Sequence, residues 1–120
     1  MYGRTINLLR IIEGEAKFGN TWDKLLFEFE DGSSYKIIDY GQTCCENRYM
    51  KTDDDLDRFI GSVLTNIELL QGGWKKVEDG EELEFIFLRV ETSVGDFRVT
   101  MYNEHNGYYG GFDPEAIKVS

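Results

Sequence analysis

The sequence predicts a single α+β domain over residues 1–120, a mainly antiparallel β-sheet of about six strands with one short helix. Three observations predict it. Two stretches alternate apolar and polar residues and fold back through turn chemistry, a capped segment with helical spacing lies between them, and 120 residues suffice for one core but not for two independent ones.

The elements follow in order. Asn7 to Glu13 reads as a strand, in keeping with the sheet character of the rest. Leu25, Phe27 and Phe29 alternate with Glu28 and Glu30, Asp31-Gly32-Ser33-Ser34 supplies a turn, and Tyr35-Lys36-Ile37-Ile38-Asp39 resumes the strand pattern, so this is a hairpin. Thr52-Asp53-Asp54-Asp55 then opens a helix. Thr52 can cap free amides, the aspartates suit the positive end of the dipole, and Leu56, Phe59, Ile60, Val63 and Leu64 follow at the spacing of one helical face. Gly61 interrupts that spacing, and Val63, Thr65, Ile67 and Leu69 fit a period of two, so the helix ends near Ile60 and a strand begins at Ser62.

Gln71-Gly72-Gly73 and Glu78 to Glu82 read as loops around Trp74, whose ring is expected to pack under the sheet edge. A second hairpin joins Leu83–Glu91 to Phe97–Asn103 through Thr92-Ser93-Val94-Gly95-Asp96, with Phe97, Val99 and Met101 on one face. Leu83 to Leu88 is apolar on both faces over its middle, which suits a central strand. A short strand through Ala116 to Val119 follows Pro114.

Composition excludes several function classes. Thirteen basic against twenty-three acidic residues give a net charge of −10, which opposes nonspecific binding of nucleic acid. A basic protein partner, or a small ligand in a local basic pocket, is compatible with that field. No apolar run reaches the ~18 residues of a membrane span, and the N-terminus lacks a secretory pattern, so a cytoplasmic location is expected. Cys44 and Cys45 are adjacent, where a disulfide would be strained and would close a negligible loop, so both read as free thiols of a reducing compartment. The acidic runs Asp53 to Asp57 and Glu78 to Glu84 read as solvated, since neither has the spacing of a calcium loop.

Both cysteines and the single histidine fall in two dense stretches, residues 39–50 and 103–112. If the hairpins share a sheet, these stretches converge at one edge. One chemical reading has His105 deprotonate Cys44 or Cys45 while Glu46 or Glu104 orients the imidazole. Against it, acidic surroundings raise a thiol pKa. Zinc on Cys44, Cys45 and His105 lacks the usual gap between cysteine ligands, so no metal or cofactor is expected. The plain alternative takes the cysteines as small buried hydrophobes and the asparagines and glycines as turn residues. It does not account for Tyr108, Tyr109 and Phe112 crowding a glycine-rich turn. Exposed aromatics beside Asn, Gln and Arg48 suit a planar ligand or a protein partner.

The signatures Asp39-Tyr40-Gly41-Gln42-Thr43-Cys44-Cys45-Glu46-Asn47-Arg48-Tyr49-Met50, with Thr52-Asp53-Asp54-Asp55-Leu56, and Asn103-Glu104-His105-Asn106-Gly107-Tyr108-Tyr109-Gly110-Gly111-Phe112, resemble those of a family of small phage- and prophage-encoded domains of unknown function. The likeness runs from about Leu25 to Phe112 and leaves out the first twenty residues and the last eight. It implies a setting in viruses of bacteria, where small acidic proteins disable host defence by blocking a nuclease complex, as anti-CRISPR proteins do, or by sequestering a nucleotide signal. The family's recurrent polar positions would fall on Asp39, Gln42, Cys44, Cys45, Glu46, Arg48, Asn103, Glu104, His105 and Asn106.

The preferred reading is therefore a non-enzymatic binding protein that engages a host protein or a nucleotide-like ligand. Asp39, Gln42, Glu46, Arg48, Asn103, Glu104, His105, Asn106, Tyr108 and Tyr109 are its expected contact residues. The runner-up is a small thiol-dependent hydrolase or transferase using Cys44 or Cys45, His105 and Glu46. An exposed hydrophobic sheet edge would favour a homodimer.

Overall fold

The computed structural model describes residues 1–14, 23–40, 47–77, 80–105 and 111–120. Among the described residues eight strands, rather than six, run in the order β1 (Ile6–Ile12), β2 (Lys24–Phe29), β3 (Ser34–Asp39), β4 (Asn47–Lys51), β5 (Leu64–Lys76), β6 (Glu82–Thr92), β7 (Gly95–His105) and β8 (Pro114–Lys118). The architecture is almost wholly β. The two hairpins do not share a sheet: β1-β2-β3-β8 forms one four-stranded antiparallel sheet and β4-β7-β6-β5 the other.

The alternation in the sequence places one apolar face from each sheet against a common core. Ile6, Leu9, Leu25, Phe27, Phe29 and Ile37 come from the first sheet, and Met50, Leu64, Leu88, Val90, Phe97, Val99 and Met101 from the second. Phe27, Phe97, Ile6, Leu25, Leu64, Val90 and Val99 are fully enclosed, and a large apolar side chain so buried contributes roughly 1.5–3 kcal/mol. The sheets are tied where Thr5 bridges Val63 and the amide of Leu64 donates to Arg4 O at 3.0 Å.

The expected helix at Thr52 to Ile60 is only a single 3₁₀ turn, Leu56–Phe59, capped by Asp55 rather than Thr52. The reason lies in the side chains read as a cap. Thr52 Oγ1 donates to Arg98 O at 2.7 Å, and Asp54 Oδ2 accepts from the Arg98 amide at 3.0 Å. Residues with short polar side chains compete with a helix by bonding backbone elsewhere, and here they prolong the β4–β7 pairing by two side-chain bonds. Phe59 then turns its ring onto Phe97, centroids 4.7 Å apart. Gly61, at φ 90°, ends the turn.

Two other expectations change. Gln71-Gly72-Gly73 is part of β5, where a bulge falls between Leu70 and Gly73, so the strand continues to Lys76. Gly72 is required there because a Cβ would lie 1.9 Å from the Phe85 carbonyl oxygen. Trp74 stands in that extension, opposite Glu84, and is 62% exposed instead of packed under the edge. The strand from Leu83 is central as expected, lying between β7 and β5, and its turn tightens to Ser93-Val94 because Thr92 already pairs with Gly95. Among the described residues no helix is long and apolar enough to cross a membrane.

Candidate functional site

The inner face of β7 changes character along its length. Phe97, Val99 and Met101 point into the apolar core, and the next two inward residues, Asn103 and His105, are polar and equally buried. Register brings Arg48 of β4 opposite Asn103 on one side and Glu84 of β6 opposite it on the other. The end of β3 supplies Asp39. Although the two hairpins lie in separate sheets, Asp39 and Arg48 of the first dense stretch and Asn103 and His105 of the second therefore lie in the layer between the sheets.

Arg48 and Asp39 form a buried ion pair, Nη1 to Oδ2 at 2.7 Å, with side chains 4% and 7% exposed. The other oxygen of Asp39 accepts the Asp113 amide at 2.7 Å, and the Tyr40 amide donates to Asp113 O at 2.9 Å. Gly111 is held at both ends of its backbone. Its carbonyl accepts from Arg48 Nη1 at 2.9 Å and Asn103 Nδ2 at 3.3 Å, while its amide donates to Glu84 Oε2 at 3.1 Å. A φ of 82° at this position favours glycine. Phe112 lies under the Arg48 guanidinium at 6.0 Å.

Glu84 Oε1 meets His105 Nε2 at 2.8 Å, with the imidazole almost wholly enclosed. Among the described residues the carboxylate bonded to the histidine is thus Glu84, from the run read as a solvated loop, and not Glu104. Adjacent residues of a strand face opposite sides, so Glu104 stands on the outer face. There it accepts from the Tyr49 hydroxyl at 2.8 Å, and Tyr49 stacks on Tyr102 at 4.9 Å. Desolvation, reinforced by the hydrogen bond and charge of Glu104, pushes the Tyr49 phenol up to about 12.

Asp23 was not anticipated from sequence. Its two oxygens accept the Gly14 and Met50 amides, both at 3.0 Å, and so clip the end of β1 to edge strand β4. Along this edge runs a groove of about 430 Å³ lined by Glu13, Asp23, Asn47, Tyr49, Lys51 and Glu104 among others. Neither Asp23 nor Glu84 sits in a recognisable motif. The only sequence signal for Glu84 is that it interrupts an otherwise apolar central strand.

Of the expected contact residues, Asp39, Arg48, Asn103 and His105 are brought together, and Glu104 is separated from them by the sheet. Gln42, Cys44, Cys45, Glu46, Asn106, Tyr108 and Tyr109 lie outside the described residues. Among the described residues no group of three or more His, Cys, Asp or Glu side chains is arranged to hold a metal ion.

No curated protein and no solved structure matches the chain. A family model described as a domain of unknown function, DUF7448, matches residues 1–113, so the first twenty residues, outside the resemblance read from sequence, lie inside the family's extent. The shared core explains why: β1 and the Thr5–Val63 bridge close the sandwich, so the domain needs its N-terminal strand. With that match across most of its length, the chain belongs to the DUF7448 family.

Proposed function

We propose that this chain is a non-enzymatic binding protein of phage type that acts in the bacterial cytoplasm on a component of host defence. The observation that carries the reading is the buried network of Asp39, Arg48, Asn103, Glu84 and His105. It bonds residues close in sequence to positions 41–46 and 106–110, namely Asp39 and Arg48 for the first and His105 and Gly111 for the second. A buried, mutually bonded set of this kind fixes its own side chains in one arrangement, which lowers the ordering cost of binding beside it. The charge of −10 and the acidic side chains of the groove along β4 favour a partner with a basic surface.

The test is to mix the purified chain with candidate host proteins and, separately, to screen nucleotides by thermal shift. A Tyr108→Ala, Tyr109→Ala variant should lose binding with its melting temperature unchanged, and Cys44→Ser, Cys45→Ser should keep it. Full binding by the tyrosine variant would overturn the reading. A nucleotide at 100 times its Kd would stabilise the fold by roughly 2.7 kcal/mol, which distinguishes a signal-sequestering protein from one that blocks a protein.

One observation favours the runner-up, a thiol-dependent hydrolase or transferase. Glu84 holds the imidazole of His105 as a carboxylate holds a general base. That reading requires Cys44→Ser or Cys45→Ser to abolish turnover of an activated ester, and retention of turnover in the double variant ends it.

A further inference from the structure

We propose that a second copy of this chain pairs with the free edge of β5, giving a twofold dimer whose contact runs from Glu68 to Lys75. β5 is the last strand of its sheet, on the opposite side from β4. Its beginning is covered by the N-terminal residues: Gly3 and Arg4 bond Leu64, and the Tyr2 hydroxyl donates to Ile67 O at 3.3 Å and accepts from the Ile67 amide at 3.1 Å. Beyond Ile67 no strand among the described residues pairs with this edge, and unpaired edge amides and carbonyls are a template for another strand.

The bulge decides which side chains that edge presents together. Before it, Glu68 lies across from Arg89 and Leu69 from Leu88; after it, Trp74 lies across from Glu84 and Lys75 from Leu83. Leu88 and Glu84 share the inner face of β6, while Leu83 and Arg89 share the outer one. Leu69 and Trp74 therefore stand on one face and Glu68 and Lys75 on the other, although residues five apart on a regular strand would face opposite ways. Leu69 is 52% and Trp74 62% exposed, the two exposed large hydrophobics of this strand.

An antiparallel copy in the register that sets Leu69 against Trp74 also sets Glu68 against Lys75. Twofold symmetry repeats both pairs, and every pair matches in face. Lysines on an edge strand ordinarily discourage pairing, but here the same edge carries the counterion at the matching position. The contact leaves the groove along β4 open, so it stands independently of the proposed function.

Sedimentation velocity of the intact chain over a concentration series tests this. A dimer is expected, and Leu69→Glu or Trp74→Glu should convert it to monomer with an unchanged far-UV spectrum. Glu68→Lys should weaken association about tenfold, the size of a 1.4 kcal/mol change, and adding Lys75→Glu should restore it. A wild-type chain that stays monomeric to about 0.1 mM overturns the proposal, as does a dimer indifferent to Leu69 and Trp74. A charge-swapped double variant no tighter than Glu68→Lys overturns the register and with it the proposal.

Discussion

Two stretches of the same buried layer, one apolar and one polar, are held together by different physics. At the apolar end, Phe97, Val99 and Met101 of β7 share one core with Phe27, Leu25 and Leu9 of the other sheet, and their contribution is area removed from water. At the polar end, Asn103 and His105 of the same strand join Arg48, Asp39 and Glu84, where each group was desolvated at a cost and recovers it only through its partners. The apolar end is tolerant of shape but not of lost volume. The polar end depends on the complete set, and its parts come from four strands and the segment after residue 110.

Breaking the polar end at its charge pair should have the largest effect. Arg48→Ala leaves Asp39 buried without its cation, and urea unfolding should show a loss of about 3–5 kcal/mol. The comparison sharpens in the double variant Arg48→Met, Asp39→Asn, which removes both charges but keeps an acceptor for the Asp113 amide. It should recover most of that loss, because the penalty belongs to the unpaired charge. At the apolar end Phe27→Ala should cost about 3–5 kcal/mol. No single partner change will rescue it, since a cavity has no counterpart to remove.

Smaller effects are expected at the β5 bulge and at a second member of the polar end. Gly72→Ala should destabilise by about 1–3 kcal/mol, as the new methyl must push Phe85 backbone aside, and the amide exchange of β5 and β6 should quicken around the bulge. Glu84→Gln keeps the shape and loses the charge beside His105 and Gly111, with an expected cost of about 1–2 kcal/mol by urea unfolding.

The smallest effect concerns the outer face. The Tyr49 phenol is raised from 10.0 to about 12 by desolvation first and Glu104 second, so the folded state holds this proton more tightly than the unfolded chain. Its stabilising contribution is complete below pH 10 and is lost as pH rises from 10 towards 12. Ultraviolet titration should show a late ionisation step near pH 12, and Tyr49→Phe should remove the part of it that belongs to this phenol.

The hairpins of residues 24–39 and 82–105 were legible because a period of two, bounded by Asp-Gly-Ser or Ser-Val-Gly, has one economical backbone solution. The segment after Thr52 was misread because a threonine followed by aspartates caps a helix only when those side chains bond their own backbone. Here Thr52 and Asp54 bond Arg98, forty-four or more residues away, and local pattern holds no trace of that. Trp74 was misread for a related reason: two glycines signal a turn, yet one of them merely makes room for Phe85.

The site was half legible. Asp39, Arg48, Asn103 and His105 stood out because they fall in the two stretches dense in polar and aromatic residues, whereas Asp23 and Glu84 are ordinary acidic residues until the register assigns them backbone amides and an imidazole. By itself the sequence determined most of the strands, the alternation of the two hairpins and the acidic charge, since these follow from neighbours within a few residues, but not β4 or the end of β5. Which sheet each hairpin joined, and which carboxylate met the histidine, only the tertiary structure decided. Partners as far apart as Glu84 and His105, or Asp39 and Asp113, are chosen by the packing of two whole sheets, a competition no short segment records.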